Sequence, residues 1–292
     1  MRYQFIQEHQ GQFRTTILLR VLDVSASAFY QWQKRPVSPR ARHKQLLVAQ
    51  ICELFAHNKG RYGSPRIHQD LQAAGIGCSR KRVARLMKEQ NLAVRKPRRF
   101  VATTDSGHAF PVGQNLLNRQ YQVEAVPGLN RAWAGDITYV PTAQGWLYVA
   151  VVLDLKSRKV IGWSMKDSLE QTLVHEALEM ALGQRLSTEV PETLLFHSDR
   201  GSQYAAHDYQ ERLQEFGIMC SMSRRGDCWD NAVVESFFAT LKKEEVHREN
   251  YLTREQAKAS LFCYIEIFYN RTRRHSALGY ISPHEYEQSL LN

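Results

Sequence analysis

The sequence predicts an α/β fold with a mixed β-sheet in its second half, preceded by an all-α basic region. Charge divides the chain first: residues 1–130 hold 21 Lys/Arg against 7 Asp/Glu, whereas residues 131–292 hold 18 against 22. Texture divides it at the same place. Before position 95 apolar residues recur at helical spacing; after position 131 they gather in runs rich in Val, Ile, Tyr and Trp. Three such runs in succession, then alternating helix and strand, give the layer pattern of a mixed sheet. The expected parts are a helix-turn-helix-like segment (1–40), a second helical region (41–95), a basic linker (96–130) and an α/β core with C-terminal helices (131–292).

The bulk properties narrow the class. A net charge of +10, concentrated in the first part, points to a polyanionic partner, nucleic acid first. No apolar run reaches the ~20 residues needed to span a bilayer, and "MRYQFIQEHQGQFR" lacks the apolar core of a signal peptide. Cys52, Cys78, Cys220, Cys228 and Cys263 form no CxxC pair, which fits reduced thiols in the cytoplasm rather than a zinc finger or disulfide framework.

The first helices read from the N-terminus as follows. "FRTTILLRVL" places Ile17, Leu18, Val21 and Leu22 on one stripe. "DVS" is a short turn with Ser25 as N-cap, and "ASAFYQWQKR" runs until Pro36 stops it. Two short helices about a tight turn suit a helix-turn-helix, and equally an ordinary helical hairpin. "HKQLLVAQICELFAHN" is a longer helix. Ser64-Pro65 then starts another and Gly75 stops it. "CSRKRVARLMKEQNL" carries Ser79 as cap, Val83, Leu86 and Met87 inward, and Arg80, Lys81, Arg82, Arg85 and Lys88 outward. With Arg61 and Arg66 these cations form a candidate DNA-docking surface. Residues 91–130 lack periodicity and read as linker.

In the second part, "RAWAGDITYV" and "GWLYVAVVLDLKSRKVIGWSM" predict three antiparallel strands with a reversal near Lys156-Ser157. "SLEQTLVHEALEMALG" is a helix with Leu173, Val174, Ala177, Leu178, Ala181 and Leu182 on one side. "ETLLFHSD" and "IMCSMS" are strands around the helix "AHDYQERLQEFG". "DNAVVESFFATLKKEEVH" and "TREQAKASLFCYIEIFYN" are long helices.

Three acids stand inside these apolar elements. Asp136 interrupts the first strand, and Asp199 ends the strand of "LLFHSD". Glu235 shares a helix face with Phe238 and Lys242, opposite Val233, Phe237 and Leu241. Asp199 alone reads as a turn cap. Three acids in apolar elements suggest more, because a buried carboxylate is costly unless paired or bound to a metal. Hard oxygen donors with no His/Cys cluster suit Mg²⁺ or Mn²⁺.

The 35 residues between Asp199 and Glu235, with Asp136 upstream, resemble the DD(35)E pattern of the retroviral integrase and transposase superfamily, whose fold is ribonuclease H-like. "WAGDITYV", "HSDRGSQY", "SMSRRGDCWDNAVVESFFATLK" and "YNRTRRHSALGYISPHEYE" are similar to the second-frame (OrfB-type) transposase of bacterial insertion sequences of the IS-three family. "RVLDVSASAFYQW" and "RYGSPRI" resemble that family's N-terminal helical region, so the likeness covers nearly the whole chain. It implies a catalytic and metal-binding triad of Asp136, Asp199 and Glu235 with two Mg²⁺ (or Mn²⁺) ions, and Lys242 against the DNA end. It further implies cleavage and strand transfer at terminal inverted repeats into target DNA, by a nucleoid-associated homo-oligomer, with an upstream-frame helix-turn-helix subunit separate or fused. Gln203, Tyr204 and Asn231 match positions flanking the triad.

Other residues read more plainly. Asp154 suits a turn or ion pair, His197 packing or orientation, and Cys220 with Cys228 no zinc site. Tyr269, Asn270, Arg273 and His275 suit either DNA or anchorage of the C-terminal helix. Rival functions are a non-catalytic DNA-binding regulator and another ribonuclease H-like nuclease.

Overall fold

The computed structural model describes residues 1–34, 38–94, 113–186, 193–224 and 228–291. It divides into two compact units, Met1–Ala93 and Val94–Asn292.

The first unit is all helical: α1 (Arg2–His9), α2 (Thr15–Val21), α3 (Ala26–Gln33), α4 (Pro39–His57), α5 (Ser64–Ala73) and α6 (Arg80–Glu89). Caps set its boundaries. Ser25 accepts from the Ala28 N–H, Ser38 from Ala41 and Ser79 from Arg82, each satisfying an amide that the first turn leaves unpaired. Gly75, at φ +74°, takes the left-handed conformation that ends α5. Helix α1 was not anticipated, because Ile6 is its sole buried side chain and leaves no stripe to detect. The stripe expected on α2 is also corrected. Leu18 and Leu19 are buried, with Leu22 packed against them, whereas Ile17 and Val21 are 44% and 73% exposed. The core of this half-turn is built by Ile6, Leu18, Leu19 and Phe29, which the 15–22 segment alone cannot reveal. Pro36 and the "RKPRRF" run lie outside the described residues.

The second unit is built on β1 (Ala132–Thr142), β2 (Gly145–Asp154), β3 (Val160–Lys166), β4 (Leu195–Ser198) and β5 (Met219–Met222). The sheet order is β3-β2-β1-β4-β5: β1, β2 and β3 are antiparallel neighbours, and β4 is parallel to β1 and β5. Helices cover both faces. On one lie α7 (Gln171–Arg185), α8 (Ser202–Ala205) and α9 (His207–Glu215), with Trp133, Ile161, Leu178 and Phe196 in the core. On the other lie α10 (Ala232–Glu244) and α11 (Arg254–Phe262), with Ala134, Val140, Val151, Phe237 and Leu241. Helix α7 comes so close to β3 that a Cβ on Gly162 would lie 2.1 Å from the Ala177 carbonyl. The chain closes with α12 (Pro283–Leu291), whose buried Glu287 accepts from Lys159 at 2.8 Å and from Arg185.

The expected linker is corrected over its second half. Leu117, Val123 and Val126 are buried, and the Leu116 and Leu117 amides donate to Ser221 Oγ at 3.0 and 3.2 Å. Lys156 Nζ donates to the Val123 and Val126 carbonyls, both at 2.9 Å. Residues 113–130 are therefore a strap on the sheet unit. Its hydrogen bonds come from side chains distant in sequence, so it carries no periodic pattern of its own.

Candidate active site

Side-chain alternation assigns Asp136 to a face. Along β1, Ala132, Ala134 and Val140 point into the core under α10, whereas Trp133 points under α7; Asp136 follows the even set. Along β4, Leu195 faces α10 and Phe196 faces α7. Asp199 follows directly after the last residue of β4. The parallel register runs as far as Ala134 and His197; Asp136 and Asp199 each follow two residues further on, near enough for the Asp199 charge to act on the Asp136 carboxyl. A carboxylate at the end of β4 is thus held beside one within β1.

Backbone amides orient both. Asp136 Oδ1 accepts from the Ile137 N–H at 2.8 Å, and Asp199 Oδ1 from the Gly201 N–H at 2.9 Å. Glycine on both sides leaves room for this packing. A Cβ at Gly135 would lie 2.7 Å from Phe196 Cζ, and one at Gly201 3.0 Å from Asp199 Oδ1. Burial, then the Asp199 charge, raise the Asp136 carboxyl well above its ordinary range; Glu235 adds to the rise, and Lys242 opposes it. Glu235 is raised by desolvation and then by Asp199. Lys242 is lowered by desolvation against the pull of Asp136, and its Nζ lies 5.1 Å from the centre of the Tyr139 ring.

The acids therefore sense one another, but the described residues contain no group of three His, Cys, Asp or Glu gathered at metal-ligand geometry. The helix face is also corrected. Phe238 is buried with Val234, Phe237 and Leu241, and Glu235 is exposed beside Ser236. The donor set still fits a divalent cation: three carboxylates, of which Asp136 and Glu235 are both disfavoured as anions by burial and by Asp199, with Lys242 close to Asp136. Asn231 adds to this. It is 5% exposed, its Nδ2 donates to the Gly135 carbonyl at 3.3 Å, and its Oδ1 has no hydrogen-bond partner among the described residues.

Surrounding residues separate into supports and bystanders. Tyr204 is buried, with burial first, then Tyr209, Asp136 and Asp199, raising its pKa; its ring packs against Phe196 and Tyr209. Gln203 is half-buried, and its Oε1 accepts from Ser202 Oγ at 3.4 Å. Asp154 is a turn residue: fully buried, it accepts from the amides of Asn130, Lys156 and Ser157 at 2.7, 2.8 and 3.0 Å. Asn270 bonds both ways with Val160 at 3.0 and 2.9 Å, and Tyr269 and Arg273 are buried, so these three anchor the C-terminal segment. His275 shapes a turn, accepting from the Ala277 N–H at 3.3 Å. Of the cations in the first unit, Arg80, Lys81, Arg85 and Lys88 are exposed, and Arg82 and Arg66 half-buried. Arg61 differs: it is 7% exposed, turned into its unit rather than outward. Sequence reading missed Asp230, because a single acid before a helix looks like a cap. It is 1% exposed and binds Asn115, Arg119 and Arg224.

His197 lies between Ser221 Oγ at 2.9 Å and Ser223 Oγ at 3.3 Å, fully buried. Desolvation, opposed by Asp230, lowers its pKa from 6.5 to about 4. The unfolded chain then binds the proton more readily. Stability from neutral His197 is full above 6.5 and lost as pH falls toward 4, by up to ~3 kcal/mol. Denaturant unfolding of the parent across this window is expected to show that slope, and His197→Asn to flatten it.

A mixed five-stranded sheet of order β3-β2-β1-β4-β5 covered by helices on both faces is an integrase-type core, joined to a helical unit. Residues 127–228 and 216–283 match the Integrase core domain families, and residues 42–100 match the HTH-like domain. The transposase InsF for insertion sequence IS3A of Escherichia coli (strain K12) is 42% identical over 293 residues, covering 100% of both chains. An uncharacterized 31 kDa protein of insertion element IS600 from Shigella sonnei is 41% identical over 266 residues, covering 91% of this chain and 96% of its own. The chain belongs to the IS3 transposase family. Among solved structures, the catalytic core domain of BIV integrase is similar, with a TM-score of 0.41 and 20% identity over 56% of this chain and 96% of that one. The HTLV-2 integrase catalytic core domain, solved in complex with magnesium, has a TM-score of 0.41 and 17% identity, covering 54% of this chain and 96% of its own. No described helix is long and apolar enough to cross a membrane.

Proposed function

We propose that this chain is a DNA transposase that binds the ends of an insertion element and performs divalent-metal-dependent strand cleavage and transfer there. The observation that supports this reading is the electrostatic influence of Asp199 on both Asp136 and Glu235, with Asp136 in β1 and Asp199 directly after β4, its parallel neighbour, in a chain of the IS3 transposase family. Asp136 and Asp199 would share one cation, and Glu235 would complete a second site with one of them. Two Mg²⁺ or Mn²⁺ ions, when bound, supply Lewis-acid stabilisation to the attacking and leaving oxygens of a phosphodiester exchange. Lys242 lies on the Glu235 side of α10 and offers a cation to a phosphate beside the acids. Asp136 and Asp199 are oriented in advance by the Ile137 and Gly201 amides, so little ordering is left to the moment of reaction.

The first unit supports binding. Arg80, Lys81, Arg85 and Lys88 project from α6, while Val83, Leu86 and Met87 fix it from behind. Such a row neutralises phosphates and positions the duplex rather than reading it. Pairing of two element ends implies assembly of several copies on DNA, with or without the upstream-frame subunit.

The test is direct. Labelled DNA carrying the element's terminal repeat, incubated with the full chain and Mg²⁺, is expected to yield nicked and joined products. Binding should weaken steeply with salt as counterion release is lost. Salt-sensitive binding with no cleavage in Mg²⁺ or Mn²⁺ would instead support the non-catalytic regulator, and cleavage of any duplex regardless of its ends a general nuclease.

A further inference from the structure

The helix that carries Glu235 hides a second carboxylate on its far side. Glu244 lies nine residues further along α10, roughly two and a half turns at 100° per residue, and so points opposite to Glu235. Lys242, seven residues on, returns to about 20° from the Glu235 direction. Burial agrees: Glu235 is exposed and Glu244 is 4% exposed. Glu244 also stands in the last turn of α10, where the helix dipole disfavours an anion.

Its partners are directional. Arg273 donates Nε to Glu244 Oε2 at 2.8 Å and Nη2 to Oε1 at 2.9 Å, and the Tyr264 hydroxyl donates to Oε2 at 2.9 Å. Arg273 is 5% exposed and Tyr264 2%. The Arg273 guanidinium lies 5.6 Å from the centre of the Tyr269 ring, and that ring meets Phe237 of α10 edge-on at 4.7 Å. Tyr264 and Tyr269 both belong to the π-helical segment Cys263–Tyr269 that continues α11. The Asn270 amide bonds the Ile265 carbonyl, five residues back, at 3.0 Å. That wider turn lets two tyrosines five residues apart face α10 together. Single π-helical turns within α-helices recur at functional sites.

We propose that Glu244, Arg273 and Tyr264 are positioning residues that fix the rotation and axial setting of α10, and so the placement of Glu235 and Lys242 over the strand aspartates. The proposal rests on the reading of Glu235 as a catalytic acid. Stability alone is a weak reason for such a pair, because apolar residues of the same size commonly serve as well. The stripe of Val234, Phe237, Phe238 and Leu241 already buries the helix. Apolar contact is non-directional and leaves a helix room to rotate or slide. A bidentate fork onto a carboxylate does not. An acid that must meet ligands on two strands within a fraction of an ångström needs the directional constraint.

The test uses the full chain and Glu244→Met/Arg273→Met, Arg273→Lys and Glu235→Gln. Cleavage of element-end DNA by the parent, lost in Glu235→Gln, establishes the catalytic reading by itself; cleavage that survives in Glu235→Gln refutes that reading and the proposal with it. The double apolar variant is expected to melt near the parent and to keep the salt dependence of DNA binding. It is expected to cleave about 10- to 100-fold more slowly and to bind Mn²⁺ without DNA roughly tenfold more weakly. Arg273→Lys, which keeps the charge but loses the fork, should change both in the same direction. A folded double variant with parental cleavage and Mn²⁺ affinity overturns the proposal. If that variant does not fold, parental values for folded Arg273→Lys overturn it instead.

Discussion

Asp136→Asn, Asp199→Asn and Glu235→Gln are each expected to abolish strand cleavage and joining while leaving the chain at least as stable as its parent. The two effects have one cause. Each substitution keeps the shape of the side chain and removes a charge that the metal-free site disfavours. Asp136 is raised by burial and by Asp199, and Glu235 by desolvation and by Asp199. The unfolded chain therefore ionises these acids first. Parent stability falls as pH rises from the ordinary carboxylate value toward the raised native one, and Asp136→Asn should remove that slope. Divalent cations should reverse the order. The parent's melting temperature should rise with Mg²⁺ as binding is linked to folding, and that of each variant should rise less. Activity should fall about a thousandfold or more, the equivalent of the several kcal/mol that a Lewis acid contributes. Near-parental turnover by one variant removes that residue from the site; turnover by all three sinks the mechanism. Asp154→Asn is a stability control rather than a silent one. It replaces one of the two oxygens that receive the Asn130, Lys156 and Ser157 amides with an amide donor.

Much of this site was legible in the chain because strands state their faces. The runs rich in Val, Ile, Tyr and Trp and the apolar run into Asp199 marked the strands on which the acids stand, and the six apolar residues of α7 gave its buried side. Helix faces were less secure. Glu235 and Phe238 are three residues apart and so share a quadrant, but only the packing against the sheet decides that Phe238 is inside and Glu235 outside. Partners could not be read at all. Asn115 and Asp230 are 115 residues apart, and Glu244 and Arg273 are 29 apart. A charged residue in a sequence shows its own cost of burial but not which distant side chain offsets it.

Asp230→Ala should destabilise the sheet unit by about 3 kcal/mol, a large effect for one residue. Its carboxylate ties two segments, the strap and the chain beyond β5, to the turn before α10. Asn115 Nδ2 of the strap donates at 2.7 Å and Arg119 Nε at 3.0 Å. Beyond β5, Arg224 donates from its backbone N–H at 2.8 Å and from Nε and Nη2 at 2.9 and 2.8 Å. The Arg224 hydrogen bond leads the causes that hold the Asp230 pKa well below the usual carboxylate range. Its contribution is present above 3.8 and is lost as pH falls further. Arg119 and Arg224 keep 43% and 49% of their side-chain surface, so water recovers part of what they lose and the effect stays below that of a sealed ion pair. Asp230→Asn should be no milder, because its amide would meet Asn115 Nδ2 and the Arg224 N–H donor to donor. Thermal unfolding should read the loss as a drop of about 6–12 °C, and Arg119→Ala, which removes one half-exposed partner, as a much smaller one. The same lesion should reach catalysis below the melting transition. Asp230 immediately precedes Asn231, whose side chain ties the start of α10 to the Gly135 carbonyl next to Asp136. Freeing that corner loosens Glu235 against the aspartates, so cleavage should fall in samples that are still folded. Parental melting and parental cleavage together would make Asp230 a surface residue in effect, whatever its burial.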